Sequence, residues 1–252
     1  MNYLYLTMLL FIGLNLILVM NFSKIKIFYY NIDKPDNLRK LHSKPTPLAG
    51  GLIILINILT YWVLANIFND ILKNDNFFQD IKSLNIFILI ALSIFSLGYF
   101  DDKLNLRANT KFFFLLIIVL SLLFLDENLV LKNIIISFYK KNFTLNQFSI
   151  FFSVFCFLVF LNAFNMFDGI NLQSSSYSLL IFSIINIVFI NSFFINILII
   201  SLIFFSYLNF KNKTFLGDSG TLLISFIIGY LFIKLYNLEY INYADEITLY
   251  ML

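Results

Sequence analysis

Charged residues are scarce in this sequence. Only 12% of its 252 residues are Asp, Glu, Lys or Arg, whereas 60% are hydrophobic and the mean hydropathy is +0.88. A soluble domain carries about 25% charged residues, so the composition predicts an all-α, polytopic transmembrane helix bundle. The net charge of +3 gives no reason to expect a nucleic-acid partner, because the basic residues cluster in loops between apolar runs, where they indicate topology.

Cysteine and histidine are almost absent. The single cysteine, Cys156, lies inside an apolar run, which excludes a disulfide within one chain and argues against a zinc site. The single histidine, His42, is by its isolation more typical of a structural residue than of a catalytic one. Its lysine and arginine neighbours would nevertheless suit an anion.

Eight apolar runs are candidates for bilayer crossing, which takes about 20 helical residues. The predicted spans are residues 4–20, 52–68, 84–99, 112–125, 148–164, 176–190, 193–210 and 220–235. The chain then ends at the apolar start of a ninth. Residues 129–139 are apolar but too short to cross, so they predict an interfacial helix or a hairpin. We expect residues 1–252 to form one integral membrane domain.

Four polar clusters interrupt these runs. The loop 21–48 holds six basic residues, which predicts a cytoplasmic location by the positive-inside rule. Counting spans from that loop places all four clusters on the same face. These clusters are residues 39–51, 98–103, 162–171 and 215–221. Clusters without a common role would be expected on both faces.

Asp101 and Asp102 end the third predicted span. Two ionised carboxylates cannot face lipid, which would cost several kcal/mol, and they repel each other unless a cation or a proton intervenes. They are either a solvated helix end or a pair that handles metal-bound phosphates. Arg39 and Lys44 in the basic loop, with Lys111 at the start of the next span, supply cations for phosphate.

The two later clusters combine carboxylates with amides and glycines. Asn162 and Asn165 share a helix face, which Asp168 continues if the helix persists; the alternative is a helix C-cap followed by a loop. Asp218 lies between glycines at a helix start, where it would also serve as an N-cap. Glycine on both sides favours a place where phosphate approaches the backbone.

Together the clusters supply hard oxygen ligands, which are typical of Mg²⁺, and cations. Such a site at the mouth of a helix bundle could join a cytosolic phosphate compound to a phosphate whose tail lies in the bilayer. Phosphoryl transfer needs mainly charge neutralisation and in-line positioning.

The four motifs, in this order, resemble those of the polyprenyl-phosphate N-acetylhexosamine-1-phosphate transferases (glycosyltransferase family 4) over about residues 20–236. The basic loop, with Pro-Thr-Pro at 45–47, is more similar to the branch that uses UDP-N-acetylglucosamine than to the branch that uses UDP-N-acetylmuramoyl-pentapeptide.

The resemblance implies transfer of HexNAc-1-phosphate from a UDP-HexNAc to undecaprenyl phosphate, giving the lipid diphosphate sugar and UMP. It implies Mg²⁺, or Mn²⁺ in its place, as the cofactor, and a multi-pass protein of the bacterial plasma membrane with a cytoplasmic active site. This reaction is the first membrane step of cell-envelope polysaccharide assembly. A homodimer is compatible with it.

The resemblance also implies residue roles. Asp101 is the candidate base or lipid-phosphate-positioning group, with Asp102 and Asp168 as the other catalytic candidates. Asp218 would bind the metal with Asn165 close to it. The substrate-binding candidates are Lys111, Asn171, His42, Arg39, Lys44 and Asn162. A strong base is not required, because the second pKa of a phosphate monoester is about 6.

Two departures from the family pattern qualify these expectations. Asn171 stands where the family has the second aspartate of Asp-Gly-x-Asp-Gly, so metal or nucleotide affinity should be weaker. The family also has later spans and a cytoplasmic histidine loop, which we expect this chain to lack. It would then be a fragment, a chain completed by a second polypeptide, or a degenerate inactive homologue.

A transporter or channel is the alternative from another class, since intramembrane carboxylates also mark ion pathways. Transporters, however, place such charges near the middle of the bilayer, whereas these charges are predicted at one surface.

Overall fold

The computed structural model describes residues 2–35, 44–68, 71, 75, 77–78 and 80–251. The protein is 73% helical, with almost no sheet, which confirms the all-α prediction. In chain order the helices are α1 (Asn2–Met20), α2 (Gly50–Ile67), α3 (Ile81–Leu104), α4 (Ala108–Leu125), α5 (Ser149–Phe167), α6 (Gln173–Ile184), α7 (Phe193–Phe210), α8 (Gly217–Asn237) and α9 (Glu246–Met251). A π-helical turn, Ile185–Phe189, prolongs α6.

Two short antiparallel ribbons lie at opposite ends of the bundle. Strand β1 (Ile32–Asp33) pairs with β2 (Thr46–Pro47), before α2. Strand β3 (Asn133–Ile135) pairs with β4 (Asn142–Thr144), between α4 and α5. For the stretch at 129–139 the structure therefore selects the hairpin over the interfacial helix.

Within the described residues, six helices are long and apolar enough to cross a membrane: α2, α3, α4, α5 with its preceding turn (Asn146–Phe167), α7 and α8. Two shorter apolar helices, Tyr5–Met20 and Gln173–Phe189, correspond to the other two predicted spans. The chain is thus a multi-pass membrane protein. Helix α3 extends to Leu104, beyond the predicted end at residue 99, so Asp101 and Asp102 belong to its last turn.

Helix α8 is the centre of the bundle. Every residue from Ser219 to Tyr236 is buried, and the helix packs against α2, α3, α5 and α6. A helix that is apolar on all sides is stable only when it is surrounded. Helix α4 lies at the periphery, where Phe113 and Phe124 are exposed as lipid-facing residues would be.

Close backbone contacts fix the first turn of α8 between α2 and α3. A Cβ atom on Gly98 of α3 would lie 2.5 Å from the Cα of Ser219. Similarly, Gly51 of α2 faces the backbone of Gly220, and a Cβ on Gly51 would come within 2.7 Å of its Cα. We expected the glycines around Asp218 to open the backbone to a phosphate. The space at Gly220 is instead occupied by the Leu216 side chain and by the backbone N of Gly51 in α2.

We predict that Gly98→Ala destabilises the protein by about 1–3 kcal/mol, the usual cost of overpacking a filled interior. The added methyl group would meet backbone atoms, which cannot rotate away. Thermal unfolding in detergent measures the effect.

The matched control is Gly13→Ala in α1, where a Cβ meets nothing within 4 Å. Because alanine favours helix over glycine, this variant should be neutral or slightly stabilised. Equal melting temperatures for the two variants would contradict the packing argument.

Candidate active site

A cavity of about 1080 Å³ opens at the end of the bundle where α8 begins. Seven of the residues predicted from the sequence contribute to its wall. They are Lys44, Asp101, Asp102, Asn165, Asp168, Asn171 and Asp218. The fold therefore brings segments that are far apart in sequence to one polar cavity.

Asp101 is held by the turn between α3 and α4. Asn105 ends α3 in the left-handed conformation, with φ of 49°, and donates its N–H to the Asp101 carbonyl, as is usual for an asparagine that follows a helix. The Asp101 carboxylate accepts the N–H of Leu106 at 2.9 Å and pairs with the Lys111 ammonium at 2.6 Å. Both carboxylate oxygens of Asp101 are thus engaged.

Lys111 connects two of the carboxylates. Its Nζ atom lies 2.6 Å from Asp101 Oδ2 and 3.6 Å from Asp218 Oδ1, and its side chain is only 12% exposed. We expected this lysine to contact a phosphate. In the structure its ammonium neutralises two neighbouring carboxylates, and Lys111 is not among the residues that line the cavity.

Asp102 caps α8 from the neighbouring helix. Its carboxylate accepts the backbone N–H groups of Asp218 at 2.7 Å and of Ser219 at 3.1 Å. The first N–H groups of a helix have no partner within the helix and carry partial positive charge. Gly217 has φ of +74°, and a Cβ there would lie 2.8 Å from the Asp102 carboxylate.

This arrangement differs from the sequence expectation, in which Asp218 was the candidate N-cap. No side chain at the start of α8 caps that helix itself. Because Asp102 provides the cap, the Asp218 side chain is not used for capping and faces the cavity. It is 35% exposed, whereas that of Asp101 is 8% exposed.

Asn165 lies beside Asp218 near the end of α5. Its amide interacts with the Asp218 carboxylate, and its Oδ1 accepts a hydrogen bond from the Thr221 hydroxyl. Thr221 is one turn further along α8 than Asp218, so this bond joins α5 to α8 at the cavity.

Asp168 stands just beyond the end of α5. Of the two alternatives left open by the sequence, the structure shows the second: α5 ends at Phe167, Asp168 is its C-cap residue, and a loop follows. Its carboxylate accepts the Ser174 hydroxyl at 2.7 Å. Burial raises the pKa of Asp168; the hydrogen bond from Ser174 opposes this rise, and the negative charge of Asp218 adds to it.

Asn162 does not belong to the cavity wall. Its amide donates to the Leu158 carbonyl at 2.7 Å, a bond within α5, and its role in substrate binding stays a prediction. Asn171 is exposed at the cavity and donates a hydrogen bond to Asn212. The two remaining candidates, Arg39 and His42, lie outside the described residues.

Polar residues that sequence reasoning missed join the loops around the cavity. Thr214 is fully buried; its hydroxyl accepts the N–H of Ala49 at 3.1 Å and donates to the Pro47 carbonyl at 2.9 Å. Backbone bonds between Phe215 and both Pro47 and Gly50 continue the contact. In the sequence, the available signal was a polar residue, Thr214, close to the end of the apolar run of α7.

Among the described residues, no three Asp, Glu, His or Cys side chains converge closely enough to hold a metal ion by themselves. Five aspartates line the cavity. Of the four predicted from the sequence, Asp101 and Asp218 share Lys111, Asp102 binds the start of α8, and Asp168 accepts from Ser174. A cation there would have to draw further ligands from water or from a bound phosphate compound.

The sequence model of glycosyl transferase family 4 matches residues 84–236, which is more than half of the chain and runs from the first turn of α3 to the last turn of α8. The chain belongs to glycosyl transferase family 4. Family membership supports a role as a polyprenyl-phosphate sugar-1-phosphate transferase. The match contains both aspartates of α3, the Asp168 loop and Asp218. Comparison with curated proteins gives no match.

Loss of the cap should reduce both stability and activity. We predict that Asp102→Ala lowers the free energy of unfolding by about 0.5–2 kcal/mol, the usual cost of losing a helix cap. It should also lower transferase activity about 100-fold, since displacement of a catalytic group by about 1 Å has effects of that size.

Asp80→Ala is the control, because Asp80 caps α3 through the Ser83 N–H at 2.7 Å at the other end of the bundle. It should lose comparable stability in thermal unfolding but retain activity below its melting temperature. Equal activity losses in the two variants would show that capping alone, and not the placement of Asp218, is responsible.

Proposed function

We propose that the protein transfers HexNAc-1-phosphate from a UDP-HexNAc, with UDP-N-acetylglucosamine as the leading candidate, to undecaprenyl phosphate. The observation that supports this most is the common polar cavity of Asp101, Asp102, Asp168 and Asp218 at one end of an apolar helix bundle. Such a place is accessible both to a soluble nucleotide and to a phosphate anchored in the bilayer.

In the proposed reaction, an oxygen of the lipid phosphate attacks the phosphorus that carries the sugar. The bond from that phosphorus to the UMP oxygen breaks, and UMP leaves with the bonding electrons. The attacking phosphate monoester is largely ionised near neutral pH, so the step needs no strong base. Binding, alignment and charge neutralisation are the tasks left to the protein.

The donor set of the cavity fits Mg²⁺, or Mn²⁺ in its place. Mg²⁺ usually keeps several waters and takes one or two carboxylates together with substrate phosphates, so three converging protein ligands are not needed. Asp218 is suited to hold it, with Asn165 and Asp168 beside it. When bound, the ion would neutralise charge on the diphosphate.

Asp101 is better suited to positioning than to proton abstraction. Its oxygens already have the Leu106 N–H and Lys111 as partners. We therefore assign to Asp101 and Lys111 the task of fixing the α3–α4 turn and compensating the charge of Asp218. Among the described residues, Lys44 and Lys211 line the cavity and are placed to meet phosphate oxygens.

The proposed membrane orientation puts the cavity in the cytoplasm of a bacterial cell. Basic residues at the cavity end of the bundle support this orientation by the positive-inside rule. They include Lys24, Lys103, Lys111, Lys211 and Lys213. The nucleotide sugar would then reach the site from its own compartment.

For the activity, purified protein is supplied with radiolabelled UDP-N-acetylglucosamine, undecaprenyl phosphate and Mg²⁺, and lipid-linked label is counted. We expect label from the wild type, its loss on chelation of the metal, and a loss of at least about 100-fold in Asp218→Asn, which keeps shape but removes the charge.

Asp126→Asn is the matched control. Asp126 is a buried carboxylate that caps the turn after α4 at the far end of the bundle, so activity should be unchanged. If no UDP-HexNAc gives lipid-linked label with folded wild-type protein, the proposed reaction is wrong.

The orientation is tested by single cysteines in a Cys156→Ser background. Lys213→Cys lies in the exposed loop at the cavity, and Tyr139→Cys lies in the exposed β3–β4 turn at the other end. We expect a membrane-impermeant maleimide to label residue 139 in intact cells and residue 213 only after permeabilisation. The reverse pattern would place the cavity outside the cytoplasm.

A further inference from the structure

Asn209 lies outside the four sequence motifs, yet it touches two of the loops that surround the cavity. It stands in the last turn of α7 and is only 4% exposed. Its Oδ1 accepts the backbone N–H of Leu172 at 2.7 Å, and its Nδ2 donates to the Thr214 carbonyl at 2.8 Å. A buried amide costs free energy unless it is paired, and here both of its ends have partners.

The first partner closes the loop that carries Asp168. Leu172 has φ of +68°. Residues other than glycine rarely adopt this backbone conformation, and it persists only where the surroundings impose it. The hydrogen bond that Leu172 N–H donates to Asn209 Oδ1 holds this residue from outside the loop. Through Leu172 it fixes the far end of residues 168–172.

The second partner, Thr214, begins the segment that leads into α8 and Asp218. The Thr214 hydroxyl binds the backbone at Pro47 and Ala49, and the chain then runs directly into the first turn of α8. One amide therefore joins the Asp168 loop to the Asp218 segment, and Thr214 joins that segment to the loop before α2.

We propose that Asn209 is a positioning residue of the active site, which sets the placement of the Asp168 loop relative to the start of α8. Both polar ends of its side chain are used by backbone groups, so it acts through the loops that it holds. Its effect on catalysis rests on the proposed function, whereas its effect on the loop does not.

Hydrogen exchange followed by mass spectrometry tests the loop directly in the 252-residue chain. In Asn209→Ala the Leu172 amide should exchange at least about tenfold faster, because its acceptor is gone. In Thr214→Val, exchange should rise at Ala49 while Leu172 stays protected. Ser201→Ala, which removes a buried hydroxyl bonded only within α7, should leave both segments at wild-type rates.

Activity is measured on the same variants well below their melting temperatures. We expect kcat of Asn209→Ala to fall about 10- to 100-fold, with Ser201→Ala at the wild-type value. Faster exchange at Leu172 together with unchanged kcat and KM would overturn the positioning role, since Asn209 would then only stabilise the loop.

Unchanged exchange at Leu172 in Asn209→Ala would overturn the proposal whatever the activity. If the wild type transfers no sugar phosphate, the proposed function fails. The exchange rates alone then decide whether Asn209 holds the loop.

Discussion

The cap that Asp102 places on the start of α8 is the interaction on which the site depends. Asp101 and Asp102 are adjacent, and like charges so close would repel. The structure removes this conflict by giving each carboxylate its own partner. Asp102 meets the N–H groups of Asp218 and Ser219, and Asp101 meets Lys111. Because successive helix residues point in different directions, one pair of acids can bind α8 on one side and α4 on the other.

The position of the cap also explains the glycines. A carboxylate of α3 can reach the backbone of α8 only if the two helices approach closely, and Gly98 permits that approach. Gly217 keeps the entry to α8 clear of a Cβ that would collide with Asp102. Close packing and capping therefore depend on each other. Together they hold the start of α8 so that the carboxylate of Asp218 faces the cavity.

The other end of the bundle shows why buried acids alone do not identify an active site. Asp75 is only 4% exposed and accepts hydrogen bonds from the Tyr61 and Ser192 hydroxyls and from the Phe194 N–H. All of these donors come from the protein, and buried polar groups satisfied in this way are structural. Asp218 differs because part of its carboxylate faces an open cavity.

Sequence patterns predicted those features that depend on composition and period. Apolar runs predict the helices. The short stretch at 129–139 cannot cross, so the sequence limits it to an interfacial helix or a hairpin, and the structure shows the hairpin. The convergence of the polar clusters followed from counting spans. What could not be predicted depends on register between helices. The sequence does not tell that Asp102 meets α8, that Asn162 bonds within its own helix, or that Asn209 reaches two loops.

The two halves of the cavity are built differently, and this difference suits the proposed reaction. Asp218 lies on a helix start fixed by a cap and by close backbone contacts. Residues 168–172 and 211–214 are loops, in which Leu172 and Asn212 take left-handed conformations and amide side chains provide the connections. A site that takes one substrate from the bilayer and another from water needs a fixed centre for the transferred phosphoryl group. It also needs an adaptable wall for the soluble substrate. The helix-built half suits the first need. The loop-built half is suited to the second, because its connections are side-chain hydrogen bonds, such as those of Asn209, and not close backbone packing.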